Sequence, residues 1–354
     1  LIFGGIVTGI AGHNELKGVG RVAVKSIVFF EAVTTLGLLL GLAAIDLTRA
    51  GAGIVLPAAG ATPATRPETW QQIVLNIFPE NIAQAVAQNQ ILQVAVFSLL
   101  FGAALAMLSE PKREPLVKVL QSLTDAMFKM TRIIMVLAPV AAGAAMAYTI
   151  GSTGLTMILP LVKLVGTYYG SVLIFLFLVL APILLFAGIS PARFAAAIAE
   201  PAAIAFATTS SEAALPLAME RMEEFGVPRW IVSFVVPLGY SFNMTGSSLY
   251  LTMAAIFAAQ ASGIHLTVGE QLIMLATLML TSKGVAGVPR ATLVVLMGSA
   301  AQLHIPTAAI LVLLGVDTLM DMGRSGMNVV GNGMAAAVVA RWEGRLGAEI
   351  KTVK

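Results

Sequence analysis

Apolar runs long enough to cross a bilayer dominate this chain and leave it few folds to choose from. A spanning helix needs roughly 20 apolar residues, and the stretches 18–47, 91–109, 131–150 and 160–188 are of that kind. Leu1–Ala11 reads as the tail of an earlier span, so N-terminal membrane sequence is expected to be missing. Hydrophobic residues make up 58% of the chain and charged residues 11%, whereas a soluble domain carries about 25% charged residues. Lipid is the simpler home for so much apolar surface. The net charge of +3 does not signal nucleic acid, because the basic residues sit in short junctions between spans. Cysteine is absent, the three histidines form no metal-ligand spacing, and no metal site is assigned.

The junctions also set orientation. Lys17, Arg21 and Lys25, then Lys112, Arg113 and Lys118, then Arg193, Arg221 and Arg229, and finally Arg341, Arg345, Lys351 and Lys354 form the rich set. Placing that set, and the C-terminus, in the cytoplasm satisfies the positive-inside rule. Segment 191–228 is then apolar yet flanked by cytoplasmic charge at both ends. It is expected to enter and return as a helical hairpin with its tip at Thr208-Thr209-Ser210-Ser211. By the same argument 269–306 enters from outside, with its tip at Ser282–Pro289. The span 231–259 is interrupted by Asn243-Met244-Thr245-Gly246-Ser247-Ser248, which reads as an unwound helix centre. Non-helical backbone at membrane depth is tolerated only against protein or an aqueous cavity. Two hairpins and a broken helix therefore predict a midplane ligand site.

The last span, 307–340, carries Asp317, Asp321, Arg324, Asn328 and Asn332 at steps of four, three, four and four. Helical geometry puts all five on one face, and that face cannot look at lipid. One reading is an internal Asp–Arg network that merely holds the bundle together, since Asp321 and Arg324 have pair spacing. The functional reading has Arg324 gripping a substrate carboxylate through its planar fork, Asp321 receiving a substrate ammonium, and Asn328 binding another polar group. Glu31, alone in an apolar run, is a candidate proton carrier; the alternative is an ionised Glu31 beside Lys25. Lys283 either neutralises a closing tip or faces water. His265 and His304 fall at outer junctions, as surface residues do.

These residues together resemble the dicarboxylate/amino acid:cation symporter family, the glutamate-transporter family, and within it the bacterial proton/glutamate symporters. The marks are Thr208-Thr209-Ser210-Ser211-Glu212 with Leu215-Pro216, the run Pro237–Ser247, the run Thr281–Pro289, and Asp317 through Gly333. The resemblance implies an all-α integral membrane protein with two re-entrant helical hairpins and a broken transmembrane helix. It divides the chain into the end of segment two (1–12), segment three (18–47), segments four and five (51–150), segment six (154–188), the first hairpin (191–228), broken segment seven (229–260), the second hairpin (269–306), segment eight (307–343) and a cytoplasmic tail (344–354). Segments three, six, seven and eight with both hairpins would form a mobile transport domain. Segments four and five would help build the scaffold of a homotrimer, past which that domain moves like an elevator in a bacterial inner membrane.

Carried onto residues, the resemblance makes Arg324 the ligand of a side-chain carboxylate and Asp321 the ligand of an amino group. Asn328, Ser210 and Ser211 contact substrate, and Val285, Ala286 and Gly287 close over it. Two positions depart from sodium-coupled members, which carry aspartates where Thr245 and Asn332 stand; an aromatic hydroxyl expected near Phe30 is also gone. With Glu31 and Asn243, these residues form the candidate coupling-ion and gating set, with H+ favoured and sodium the alternative. The expected function is symport of glutamate or aspartate, with C4-dicarboxylate symport as the rival, because it needs Arg324 but has no obvious use for Asp321. A channel would need polar rings from several spans. An enzyme would need a nucleophile–base arrangement or metal cluster, which the sequence lacks.

Overall fold

The computed structural model describes residues 2–11, 16–54, 78–87, 91–135, 158–281 and 305–347, with positions 140, 144, 147, 151, 292 and 296. All regular elements among the described residues are helical. The first are α1 (Ile2–Ala11), α2 (Leu16–Thr48), α3 (Ile82–Ala87), α4 (Ile91–Ala106) and α5 (Glu110–Met135). α6 (Ile158–Phe175) runs through one π-helical turn at Leu176–Leu180 into α7 (Ala181–Phe186). Among the described residues, two stretches are long and apolar enough to cross a membrane, Gly20–Thr48 and Ile158–Phe186. The second keeps an open apolar face, with Phe177 69% and Phe186 92% exposed. An apolar face of that extent marks a surface that meets lipid or protein.

Further along come α8 (Pro191–Thr208), α9 (Leu215–Glu224), α10 (Arg229–Phe242), α11 (Thr245–Ala261), α12 (Val268–Thr281), α13 (Thr307–Leu311) and α14 (Leu314–Trp342). Ser190 starts α8 by accepting the Arg193 N–H, with Pro191 at the first helical position. α8 ends at Thr209, whose φ of 53° is left-handed and uncommon for a β-branched residue. The chain then turns through a short 3₁₀ segment, Glu212–Ala214, into α9. The two arms are tied by Arg221, which binds Glu200 of α8 at 2.6 Å and Glu224 of its own helix at 2.7 Å.

The break between α10 and α11 is narrower than the sequence suggests. Only Asn243 and Met244 leave the helix, and Thr245–Ser248 are already its next turn. The reason is a cap from another helix: Asn328 Oδ1 on α14 accepts the N–H groups of Gly246 at 2.8 Å and Ser247 at 3.3 Å. Two donors that a helix start leaves unpaired are thereby satisfied.

One large apolar core joins α2, α6, α8, α10, α11 and α14. α2 lies close on α11 because Gly41 faces its backbone: a Cβ there would meet Leu249 O at 2.8 Å. Small residues permit such close helix crossings. A separate cluster, Val7, Ala11 and Leu105 with Phe3, Phe101, Val117 and Leu120, joins α1, α4 and α5. At one end of the molecule Glu343, just past α14, binds Lys25 at 2.6 Å and Arg21 at 2.8 Å, fastening α14 to α2. Lys25 also donates to Trp342 O, so its ammonium is engaged by Glu343 and the end of α14. The residues 282–291 that hold the expected second tip, with Lys283, Val285, Ala286 and Gly287, lie outside the described residues, as does His304.

Candidate functional site

The buried polar residues converge where α14 meets the start of α11. Asp317, Asp321, Arg324, Asn328 and Asn332 are all buried, as one helical face turned inward requires. Arg324 is 2% exposed and its guanidinium lies over the Tyr250 ring, 4.4 Å from the centroid. Its Nε donates to Asp321 Oδ1 at 2.9 Å. Nη2 is 2.7 Å from the same oxygen but off the direction of its N–H bonds. Nη1 stands 3.8 Å from Asp317 Oδ1, which accepts the Tyr250 hydroxyl at 2.8 Å. Neither terminal nitrogen makes a hydrogen bond among the described residues. Desolvating a guanidinium is costly unless charge and hydrogen bonds compensate. Here two carboxylates hold it in place while its fork keeps donor capacity.

Asp321 serves as the arginine's counter-ion: Oδ1 also accepts from Ser325 Oγ at 3.3 Å. Asn328 uses both ends of its amide within the protein, since Nδ2 donates to Ser247 Oγ at 3.2 Å. Thr292 donates to that same hydroxyl at 3.3 Å. Ser210 and Ser211 are buried beyond the turn at Thr209, and Ser210 Oγ accepts the Ala213 N–H at 3.3 Å.

A second group of neutral side chains lies one turn further along α14. Thr245 Oγ1 donates to Asn243 Oδ1 at 3.2 Å, and Asn243 Nδ2 donates to Asn332 Oδ1 at 3.1 Å. Asn332 Nδ2 is buried with no hydrogen-bond partner among the described residues. Glu31 sits half-buried on α2, apart from this chain of bonds, and its backbone oxygen accepts from Thr35. No group of three or more His, Cys, Asp or Glu among the described residues could hold a metal ion.

Tyr250 escaped the sequence reading, and so did the Tyr168 hydroxyl, which donates to Gly246 O at 3.4 Å. A signal for Tyr250 was present. It follows Gly246 by four residues and so shares its helical face.

The family model described as Sodium:dicarboxylate symporter family matches residues 1–342. The chain belongs to that family. Among its relatives, the C4-dicarboxylate transport protein of Cupriavidus necator is 42% identical, over 98% of this chain and 82% of the relative. Proteins of the same name from Anaeromyxobacter dehalogenans and Laribacter hongkongensis are 41% and 42% identical, each over 98% of this chain and 80% of the relative. The activity is therefore transport and not catalysis. These matches correct the narrower assignment to the glutamate-transporter family and its proton/glutamate members. The expectation of an amino-acid cargo leaned on Asp321 as an ammonium ligand; in the structure its Oδ1 accepts from Arg324 and Ser325.

Proposed function

We propose that the chain is a secondary carrier for C4-dicarboxylates such as succinate and fumarate, moving them by an elevator-type exchange of access. The observation that carries this is the Arg324 guanidinium: buried, stacked on Tyr250, and with terminal nitrogens free of hydrogen bonds among the described residues. Such a fork accepts a planar carboxylate through two parallel bonds. With Asp321 occupied as its counter-ion, the site needs no ammonium on the cargo. Ser210, Ser211 and Asn328 complete the binding set, with Val285, Ala286 and Gly287 as the covering segment. The two apolar clusters fit a division into a core that moves and a scaffold of α1, α4 and α5 in a homotrimer of the bacterial inner membrane. In this topology α8 with α9 is the first re-entrant hairpin, α12 opens the second, and α10 with α11 is the broken span.

Protons drive the cargo in this reading. The matched family is described by sodium, but the Thr245–Asn243–Asn332 chain bonds to itself and offers no carboxylate to offset a dehydrated cation. Glu31 is the titratable side chain assigned to the coupled proton. Uptake of radiolabelled succinate into proteoliposomes, with proton and sodium gradients imposed separately, tests both parts. Succinate should accumulate under an inward proton gradient without sodium, and fumarate should compete far better than aspartate or glutamate. Preferential competition by the amino acids would reject the cargo, and accumulation under sodium alone would reject the coupling.

A further inference from the structure

A cavity of about 520 Å3 opens at the end of α2 away from the Glu343 cluster, between the last turn of α2, the end of α11 and the start of α12. It is separate from the Arg324 site. Gln260 on its wall lies ten residues beyond Tyr250 on α11, roughly 15 Å along the helix. Its volume falls within the range of small-molecule sites. Ile256, Ala259 and Leu266 supply apolar wall, while Asp46, Arg49 and His265 supply charge and donors.

The polar side chains are arranged unequally. Asp46 precedes Arg49 by three residues, a spacing that allows an ion pair. Instead its Oδ2 accepts from Gln271 of α12 at 3.1 Å. Arg49 is left with no ion pair or side-chain hydrogen bond among the described residues. Its backbone has a φ of 49°, a left-handed conformation that a long side chain seldom takes without compensation. The turn that follows is held firmly. Gln260 accepts the Gly51 N–H at 3.0 Å and donates to Ile45 O at 3.4 Å. A rigid turn thus presents a free guanidinium at an apolar-walled cavity, with the exposed imidazole of His265 on the same rim.

We propose that this cavity is a second, weaker site for small organic carboxylates, with Arg49 as the carboxylate ligand and His265 as an additional donor. It extends the proposed function, because its ligand shares the cargo's chemical class. Its walls come from three elements, so a bound anion joins α12 to α2 and α11. Occupancy slows the carrier at high cargo concentration by holding α12 against them.

The test is equilibrium dialysis of radiolabelled succinate against the full chain in an uncharged detergent, up to saturation, alongside proteoliposome uptake. Two classes of site should appear, with uptake declining at high succinate. Arg49→Gln should weaken the second class at least about tenfold, the loss of one charge-assisted contact. It should leave the first class unchanged and relieve the decline, and His265→Ala should weaken the second class by a smaller factor. Arg324→Ala should remove the first class alone. Absence of the first class in the unmodified chain counts against the carrier reading, not against this cavity. Absence from the unmodified chain of any class that Arg49→Gln weakens, or a second class that survives Arg49→Gln, overturns the proposal. Displacement of the second class by phosphatidylglycerol but not by fumarate would also overturn it, by making the cavity a lipid-headgroup pocket.

Discussion

Gly246 lies directly against the backbone of Arg324. A Cβ at Gly246 would stand 2.8 Å from the Arg324 Cα and closer still to its carbonyl oxygen. The start of α11 and the arginine of α14 can approach this way only without a side chain between them. Gly246→Ala should therefore push the helices apart, at a cost of about 1–3 kcal/mol, as overpacking does. Succinate binding should weaken about tenfold or more while the protein remains folded by circular dichroism. Unchanged affinity would show that the arginine tolerates the shift.

Tyr250→Phe keeps the ring beneath Arg324 but removes the hydroxyl donated to Asp317. A buried carboxylate that loses a hydrogen bond costs about 1–3 kcal/mol. We expect a lower melting temperature in detergent and only a modest loss of succinate affinity. Tyr250→Leu, which removes the ring as well, should lose considerably more affinity. Equal losses in the two variants would mean that stacking contributes nothing.

Asn332→Asp would place a carboxylate beside the Asn243 amide that now donates to Asn332. An uncompensated buried charge destabilises by about 3–5 kcal/mol, and a bound sodium ion is the simplest compensation. The variant should melt lower than the parent in potassium buffer and recover in sodium, whereas the parent should ignore the exchange. Thermal unfolding in the two salts reads this directly. Insensitivity of the variant to sodium would show that the remaining oxygens do not form a cation site.

Glu343 has a side chain only 3% exposed, held by Lys25 and the more open Arg21. Glu343→Gln should lower stability by about 1–2 kcal/mol, discounted for the solvent around Arg21. The melting temperature should fall by a few degrees, and added salt should narrow the gap between parent and variant. A gap that does not respond to salt would point to lost packing.

What could be read from the chain beforehand was whatever depends on neighbours along one helix. The inward face from Asp317 to Asn332 follows from period and polarity alone, and so does the Asp321–Arg324 pairing at three residues. What stayed hidden depends on distant segments meeting. Spacing puts Asn328 on the polar face but does not show that its amide caps a helix start more than 80 residues upstream. Tyr250 reads as one aromatic among many until α11 lies against α14. The role of Asp321 is hard to read for a related reason: a carboxylate beside an arginine can receive an ammonium or neutralise the arginine, and spacing along one helix does not separate the two.

The π-helical turn at Leu176–Leu180 closes with the Ala181 N–H on Leu176 O, five residues back. Such a turn holds one residue more than an α-helix of the same height would. It acts as a phase shifter in an otherwise continuous rod. Closing that turn as α-helix with every residue kept would rotate everything beyond it by about 100°. Ile183, now half-buried, would then take the buried place of Leu184, with composition and length unchanged. A hydropathy plot would not register the change, although the side of the helix offered to its surroundings would be different.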